Sequence, residues 1–391
     1  MAYSTTEAVH LLNVRAEGMS AIAEDPGHFV RRFAEAGGDA RGFAERRLFG
    51  RYLRELLDEA KPEIAQATAV AAHRADGMWH VNLDDGRTID SQALVLALGN
   101  QEPDRLRSFA DAGPHYLNNP WGDVARAVVR DVAASGGSAL IVGTGLTMVD
   151  LALSLDAAGH RGRVVALSRR GQIPRGHADF EPAPVELADV PQGHVARLWR
   201  WLRQRSAVVG WRAAVDSLRP HSHALWQGLD QDQQRRFMRH ARPWWDVHRH
   251  RIAPQVAGTV HAMIADGRLG IVAGRITAAH PAENGVDVEY RRRGSDRTTT
   301  EHFDYVFNCT GPLHSMAHTR DPLLRGLLDS GAAEPDHLGI GLTVDEHSRA
   351  GERLWALGPL TKGRYWEIIA VPDIRGQAAA VADDIARELA E

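Results

Sequence analysis

Apolar positions along this chain recur in two rhythms, and the places where one gives way to the other mark its elements. Over 46–59, Phe49, Tyr52, Leu53, Leu56 and Leu57 fall three or four apart, which predicts a helix with one buried face. From Glu63 the rhythm shortens to β-like runs: IAQATAV, MWHVNL, a DDG turn at Asp84–Gly86, RTID, and the apolar run ALVLALGN (Ala93–Asn100). A meander followed by one buried strand is typical between halves of a nucleotide-binding sheet. The same order returns as GRITAAH, a turn near Asn284–Gly285, VDVEYRRR, a turn near Gly294, and DYVFNCTGP (Asp304–Pro312). Both copies end in a hydrophobic strand that runs into a small-residue turn and a nearby proline, ALGNQEP and NCTGP. Gly99, with Asn100 beside it, and Gly311 would let the backbone turn tightly or approach a ligand there; the plainer reading is two ordinary strand-to-loop turns.

Between the copies, residues 180–265 alternate Trp, Leu and Arg without a strand-like run, which predicts a helical insertion. Trp199, Trp201, Trp211, Trp226, Trp244 and Trp245 serve there as core fillers or as the lining of a substrate pocket.

The segment that carries chemistry is 137–170. SALIV (138–142) is a short apolar run, GTGLTMVDLALSLDAAG follows at once, and RVVALSRR (Arg163–Arg170) closes the unit. The order is strand, glycine turn, helix, strand. Gly143 stands where the chain reverses without a Cβ clash, and Gly145 where backbone must come close to a pyrophosphate. In the GTGLT turn, Gly143, Thr144, Gly145, Leu146 and Thr147 open a helix whose free N–H groups and dipole favour phosphate. Leu146, Val149, Leu151, Leu153 and Leu155 cover most of the helix circumference, so it should be buried on several sides, ending near Gly159. The third fingerprint position is Met148, which holds helix and strand slightly further apart than Gly or Ala would. At the end of the second strand stand Ser168, Arg169 and Arg170 where an NAD site places a carboxylate. Arginine suits a 2′-phosphate, which favours NADPH over NADH; the alternative is a solvated loop.

Near the C-terminus, RLWALGPLTKG (Arg353–Gly363) is another strand into a glycine turn. In the closing segment Ile374, Ala378, Val381, Ile385 and Leu389 share one helical face, and the helix start near Pro372–Arg375 could hold the flavin pyrimidine carbonyl. A terminal helix docked only for packing accounts for the pattern equally well.

Composition narrows the classes. Hydrophobic residues at 44% and charged residues at 25% are ordinary for a globular chain, and 391 residues suggest two or three domains. No apolar run approaches the ~20 residues of a membrane span, and no leader pattern opens the sequence, so a cytoplasmic, non-membrane protein is expected. A net charge of −4 gives no grip on nucleic acid, although every basic residue of the 46 except Lys61 and Lys362 is Arg. Cys309 is the single cysteine, which excludes an intrachain disulfide and a CxxC redox couple. No metal is expected, because His248 and His250 stand two apart and point to different sides of a helix. GxSxG is absent, which argues against serine-hydrolase chemistry.

MAYSTTEAVHLLNV, LVLALGN, NNPW, LIVGTGLTMVDLALSL, WDVHRHRIAP, FNCTGP and WALGPLTKGRYWEIIAVPDIRGQA together resemble one group of FAD/NAD(P)-binding flavoproteins. It includes an FAD-dependent urate hydroxylase and the amine-oxidising enzyme of cremeomycin biosynthesis. The resemblance implies that Ala2–Val14 and the final GP…WE…IR segment lie along FAD, which makes Asn13, Gly358, Pro359 and Trp366 flavin-site neighbours, with Ile374 at the adjoining helix start. It also implies that the GTGLT turn takes the nicotinamide nucleotide. Members of the group begin with a further strand, GxGxxG turn and helix; none precedes Met1, so the expectation is a first FAD βαβ unit that is truncated.

The fold expected is therefore α/β, with two Rossmann-like, three-layer dinucleotide-binding domains, β-meanders and a helical insertion. Residues 1–118 and 312–391 would form the FAD part, 119–179 and 266–311 the NAD(P) part, and 180–265 the insertion. The function implied is an FAD- and NADPH-dependent monooxygenase acting on a small nitrogenous or heteroaromatic molecule, with no catalytic acid or base identified. A flavin-dependent NAD(P)H reductase without oxygenation and a non-catalytic nucleotide-binding protein are the competing readings. Substrate and oligomeric state are not legible.

Overall fold

The structure is a computed structural model that describes residues 3–313 and 315–390. Ala2, the first residue of the segment expected along FAD, lies outside them.

Helices α1 (His28–Glu35) and α2 (Arg46–Ala60) open the chain and share a core of Leu12, Met19, Phe29, Phe49 and Tyr52. A meander follows, β1 (Ala69–Ala75), β2 (Met78–Leu83) and β3 (Thr88–Ser91), all antiparallel in a sheet of its own. β1 starts at Ala69, near the end of the predicted IAQATAV run (64–70), and continues to Ala75. The two-residue turn Asp76–Gly77, with φ of 50° and 80°, fixes the β1–β2 register and draws the strand towards it. β4 (Leu94–Leu96) ends this part.

β5 (Tyr116–Leu117), α3 (Asp123–Ser135), β6 (Ala139–Val142), α4 (Leu146–Ala157) and β7 (Val164–Ser168) come next. The insertion then contributes α5 (Val195–Val209), α6 (Trp211–Ser217), α7 (Ser222–Gln227), α8 (Gln231–Arg236), α9 (Arg242–Arg249) and α10 (Pro254–Ala265). β8 (Leu269–Ala282), β9 (Gly285–Arg292), β10 (Thr298–Phe303) and β11 (Tyr305–Asn308) complete a seven-stranded sheet of order β10-β9-β8-β7-β6-β11-β5. Its centre is parallel, β8 to β7 to β6 to β11 to β5. Alternate residues of β6 and β7 point to two separate cores. Ala139, Ile141, Val164 and Ala166 pack under α3, α4 and α10. Leu140, Val142, Val165 and Leu167 meet Val286, Val288, Tyr290 and Phe303 of the antiparallel strands. Two covered faces explain why these strands are continuously apolar.

This sheet recruits Tyr116–Leu117, which the expected boundary at 118 left in the preceding part, because they pair with Val306 and Phe307. It also recruits α10, expected within the insertion, because Val256, Val260 and Met263 pack with α4. Met148 is fully buried in that core, at the close helix–strand contact.

The chain closes with α11 (Pro322–Asp329), β12 (Arg349–Gly351), β13 (Leu354–Ala356) and α12 (Val371–Ala390). β13 lies parallel to β4, giving a small sheet β12-β13-β4 that ends at β4 among the described residues. The predicted apolar face of α12 is only partly used: Val381 is buried, whereas Leu389 is 41% exposed. The helix is fixed by polar contacts instead. Buried Asp384 accepts from the Trp355 indole at 2.9 Å and from Arg349 at 2.7 Å, and Arg375 donates to the Ser20 carbonyl at 2.8 Å. No helix among the described residues is long and apolar enough to cross a membrane.

Candidate dinucleotide and flavin sites

The order β7-β6-β11 sets the carboxyl ends of β6 and β11 side by side, with α4 leaving from the end of β6, and α/β sheets take ligands outside the carboxyl ends of their strands. Gly143 turns there with φ of 117°, and a Cβ on it would lie 2.2 Å from the Cys309 carbonyl oxygen, so only glycine fits against the end of β11. Gly145 is different. It is exposed, has an ordinary φ of −87°, and a Cβ on it would meet nothing within 4 Å. It caps α4 without a side-chain partner for the helix's first N–H groups. The turn therefore presents an open face with free donors, the arrangement a phosphate needs. Leu146 and Thr147 form the first turn of α4 and are partly exposed.

Thr144 and Ser168 do not face this opening with free hydroxyls. Their Oγ atoms lie 2.8 Å apart, Thr144 also donates to the Gln172 carbonyl, and Ser168 accepts from the Gly171 N–H at 3.0 Å. They brace the loop after β7 against the glycine turn and so position the two arginines. Those arginines diverge: Arg170 reaches back to the His240 carbonyl of the insertion at 3.4 Å, while Arg169 lines a cleft of roughly 380 Å3.

That cleft exists because β8 runs on past β7 and folds back as β9. Ser168 pairs with Ala273, the Ala273 carbonyl accepts from the Arg293 N–H at 2.8 Å, and Arg275 stands directly opposite Arg291. Arg169, Arg275, Arg291, Arg292 and Arg293 line the cleft with Asp296, and none of the five arginines forms an ion pair within 4 Å among the described residues. Like charges opposed across a ladder are unfavourable by themselves. A bound anion removes that penalty.

The flavin-site candidates gather on the other sheet. β4 and β13 are parallel neighbours, Leu96 opposite Ala356, and the Leu357 N–H donates to the Leu96 carbonyl at 3.0 Å. Gly99 and Gly358 consequently turn side by side at the strand ends, with φ of 65° and 62°, and a Cβ on Gly99 would meet nothing within 4 Å. Asn100 follows it, exposed. Gly358 donates to Gln377 Oε1 at 2.8 Å and packs on Ile374, so the 3-10 turn that it opens with Pro359 is seated on the start of α12. Gly311, φ 96°, belongs to the other pair: β11 ends beside β6, and the Cys309 N–H donates to the Val142 carbonyl at 2.8 Å. The two repeated turns thus cap different sheets. Their downstream segments then meet, with Leu313 N–H on the Gln101 carbonyl at 3.4 Å, beside a cleft of roughly 500 Å3 bordered by Asp104, Arg105, His318 and Arg320. Asn13 offers its carbonyl to His177 Nε2 at 3.0 Å, which ties the N-terminal segment to the insertion side. Trp366 stacks on Trp226, ring centroids 5.0 Å apart, and meets Phe237 edge-on.

The family model for FAD-NAD(P)-binding proteins matches residues 1–101. No curated protein matches the chain. Among solved structures, L-lysine 6-monooxygenase from Pseudomonas syringae is similar with a TM-score of 0.61 at 18% identity, over 93% of this chain and 80% of that one. The FAD-bound cadaverine monooxygenase of desferrioxamine biosynthesis from Erwinia amylovora gives 0.66 at 11% identity, over 98% and 85%. Ornithine N-hydroxylase from Kutzneria sp. 744, with reduced FAD, NADP+ and L-ornithine, gives 0.63 at 15%, over 97% and 88%. The chain has a Rossmann-like FAD/NAD(P)-binding fold.

Within that fold, the residues sequence reasoning missed are Arg275 and Arg291–Arg293. VDVEYRRR was visible as a strand with a basic end, but only the β7–β8 pairing carries that end to the SRR loop. The insertion's tryptophans divide as packing demands: Trp226 and Trp245 are buried, Trp244 is 41% exposed.

Proposed function

We propose that this chain is an FAD- and NADPH-dependent monooxygenase that hydroxylates a small nitrogenous or heteroaromatic molecule. The observation that carries the reading is the open Gly145 turn at the start of α4 with five arginines, none in an ion pair among the described residues, beside the end of the next strand. In this reading the free N–H groups at Gly145–Thr147 take the pyrophosphate, and Arg169 with Arg275, Arg291 and Arg293 takes the 2′-phosphate in charge-assisted bonds. Ser168 and Thr144 hold the loop, and Arg170 couples it to the insertion.

For FAD, the strand-end turn at Gly99–Asn100 leaves unobstructed backbone, and the Gly358–Pro359 turn beside it is seated on the start of α12, where Ile374 sits; this fits the ring half of the cofactor. Asn13 and Trp366 border the same reading. FAD bound there supplies hydride acceptance and oxygen activation, which no side chain of this chain provides. The protein's part is to orient the nucleotides, to exclude water with the insertion, and to hold the substrate. Residues 1–118 and 312–391 would serve FAD, and 119–179 with 266–311 NADPH. The fold likeness to lysine, cadaverine and ornithine hydroxylases and the sequence resemblance to the urate hydroxylase and cremeomycin group both point to nitrogenous substrates.

The test is to load the full chain with FAD and follow NADPH oxidation, O2 uptake and oxygenated product with a panel of small amines and heteroaromatics. Coupled consumption with a hydroxylated product supports the reading. NADPH oxidation with no oxygenated product makes the protein a reductase, and NADPH binding without FAD uptake makes it a nucleotide-binding protein.

A further inference from the structure

Within the insertion, Leu202, Leu225 and Phe237 and the indoles of Trp226, Trp245 and Trp366 line a cavity of roughly 50 Å3. Its walls offer almost nothing polar. The Trp226 Nε1–H is taken by the Gly363 carbonyl at 2.8 Å, the Trp245 Nε1–H by the Glu367 carboxylate at 2.7 Å, and the Ser222 hydroxyl donates to the Leu218 carbonyl at 3.2 Å. Among the buried side-chain donors on these walls, the Trp366 Nε1–H is left without a partner. A single donor does not hold a water, which needs about three polar partners, so the cavity is dry. The two indole bonds also tie its walls to backbone 363–367, just after the turn that Gly358 opens.

A surface cleft shares part of this wall. Val195 and Trp199 of α5 line both the cavity and a cleft of roughly 850 Å3, which Arg203 of α5, Arg236 of α8 and Trp244 of α9 also border. The segment joining α8 to α9 serves both spaces as well: Phe237 lines the cavity, while His240 and Ala241 line the cleft. That segment is a π turn, Phe237–Ala241, a distortion found mostly at functional sites. One half-buried indole, Trp199, and one distorted turn thus stand between the cleft and the apolar cavity. Size decides what the cavity takes. Sites for substrates and cofactors run to about 300–1,000 Å3, whereas roughly 50 Å3 is less than two water volumes at ~30 Å3 each. An amine, a heteroaromatic ring or a nucleotide is too large, and a diatomic gas fits.

We infer that this cavity is a holding site for O2, entered from the surface cleft past Trp199. The inference deepens the proposed function and rests on the Gly358–Trp366 segment bordering the flavin. O2 is the one reactant of a monooxygenase that is small, uncharged and apolar, and it partitions from water into dry apolar space. The lining that admits it excludes water from the same place. The insertion's tryptophans then fill both roles that the sequence left open, since Trp199, Trp226 and Trp245 belong to its two cores and also line a cavity.

Xenon occupies dry apolar cavities and reads the site without any cofactor. The full chain, free of FAD and NADPH, is titrated with xenon and followed by the xenon NMR shift. Leu225→Phe, which fills the cavity from α7, is titrated beside it, with Leu202→Phe filling it from α5 should the first variant not fold. The expected result is one saturable xenon site in the unaltered chain and an affinity at least tenfold lower in the filled variant. Trp199→Ala should speed xenon exchange at least threefold. The same proteins are then loaded with FAD, reduced by NADPH without oxygen, and mixed with rising O2 in a stopped-flow instrument. Reoxidation by O2 should slow at least fivefold in the filled variant, while the preceding reduction by NADPH is unchanged. No saturable xenon site, xenon affinity retained in the filled variant, or an unchanged reoxidation rate in a variant that has lost xenon overturns the holding site, and unchanged exchange in Trp199→Ala overturns the entry route. Failure of the unaltered chain to take up FAD or to be reduced by NADPH overturns the functional reading, and the role for O2 with it, whatever the xenon titration shows.

Discussion

Asp150 is the one buried charge of the largely apolar helix α4, 5% exposed, whereas Asp156 near its end is partly exposed. Its counter-charge is Arg46 at the start of α2, Nη1 to Oδ2 at 2.7 Å, with side chains 10% and 7% exposed. Arg46 Nε also donates to the Leu11 carbonyl at 2.9 Å, and His10 Nε2 lies 3.1 Å from the Asp150 carbonyl and 3.0 Å from Ser154 Oγ. The pair therefore bolts the N-terminal segment to the helix whose first turn carries the open glycine face. Asp150→Ala would strand a buried guanidinium, a loss of about 3–5 kcal/mol, because the penalty of the unpaired charge is added to the lost bond. Arg46→Met/Asp150→Leu removes both charges and should recover most of that loss, since an apolar pair of similar volume is about as stable as a buried ion pair. Urea unfolding followed by tryptophan emission on the single and double variants closes the cycle. A loss below about 1 kcal/mol in Asp150→Ala, or a double variant less stable than Asp150→Ala, would refute the reasoning.

The two glycines of the turn should separate cleanly. Gly143→Ala clashes with the Cys309 carbonyl at positive φ and should lower stability by roughly 2–4 kcal/mol in the same unfolding assay. Gly145→Ala meets nothing and should leave stability within about 0.5 kcal/mol while weakening NADPH binding at least tenfold by calorimetry. His177 is pushed down to about 4, mainly by burial, with Arg251, Arg15 and Arg212 adding to the shift and the Asn13 carbonyl opposing it. The unfolded chain binds that proton near pH 6.5 and the folded one only near 4, so stability should fall by up to roughly 3 kcal/mol as pH drops through this window. His177→Gln should flatten that part of the stability–pH curve, and an unchanged curve would assign it elsewhere. Burial, with Asp150 nearby, pushes the Cys309 thiol up, so an aromatic disulfide reagent should leave it unmodified in the native protein and react in urea.

What was legible in the sequence is what local rules govern. The spacing of Phe49, Tyr52 and Leu56 gave α2, and strand–GTG–helix–strand gave β6, α4 and β7, because glycine positions and 3.6-residue periodicity act within one unit. The arginine cleft was not legible, because Arg169 and Arg275 become neighbours only through a parallel pairing across the whole insertion. The β1 boundary was missed although its signal, Asp76–Gly77, stood in the chain; the alternation before it outweighed a two-residue turn. For α12, the apolar pattern named a face, while the contacts that fix the helix are polar ones to Asp384 and Arg375, which periodicity cannot rank.

The claim on which the account turns is that the open glycine turn and the arginine cleft together hold NADPH. Equilibrium binding of NADPH and NADH to the full chain, repeated on Arg169→Ala and Arg275→Ala, tests it most directly. Each charge-assisted bond to a 2′-phosphate is worth about 1.5–3 kcal/mol, so NADPH should bind at least tenfold more tightly than NADH, and each variant should lose about tenfold or more for NADPH with little change for NADH. Equal affinity for the two nucleotides, or variants that weaken both alike, would contradict it.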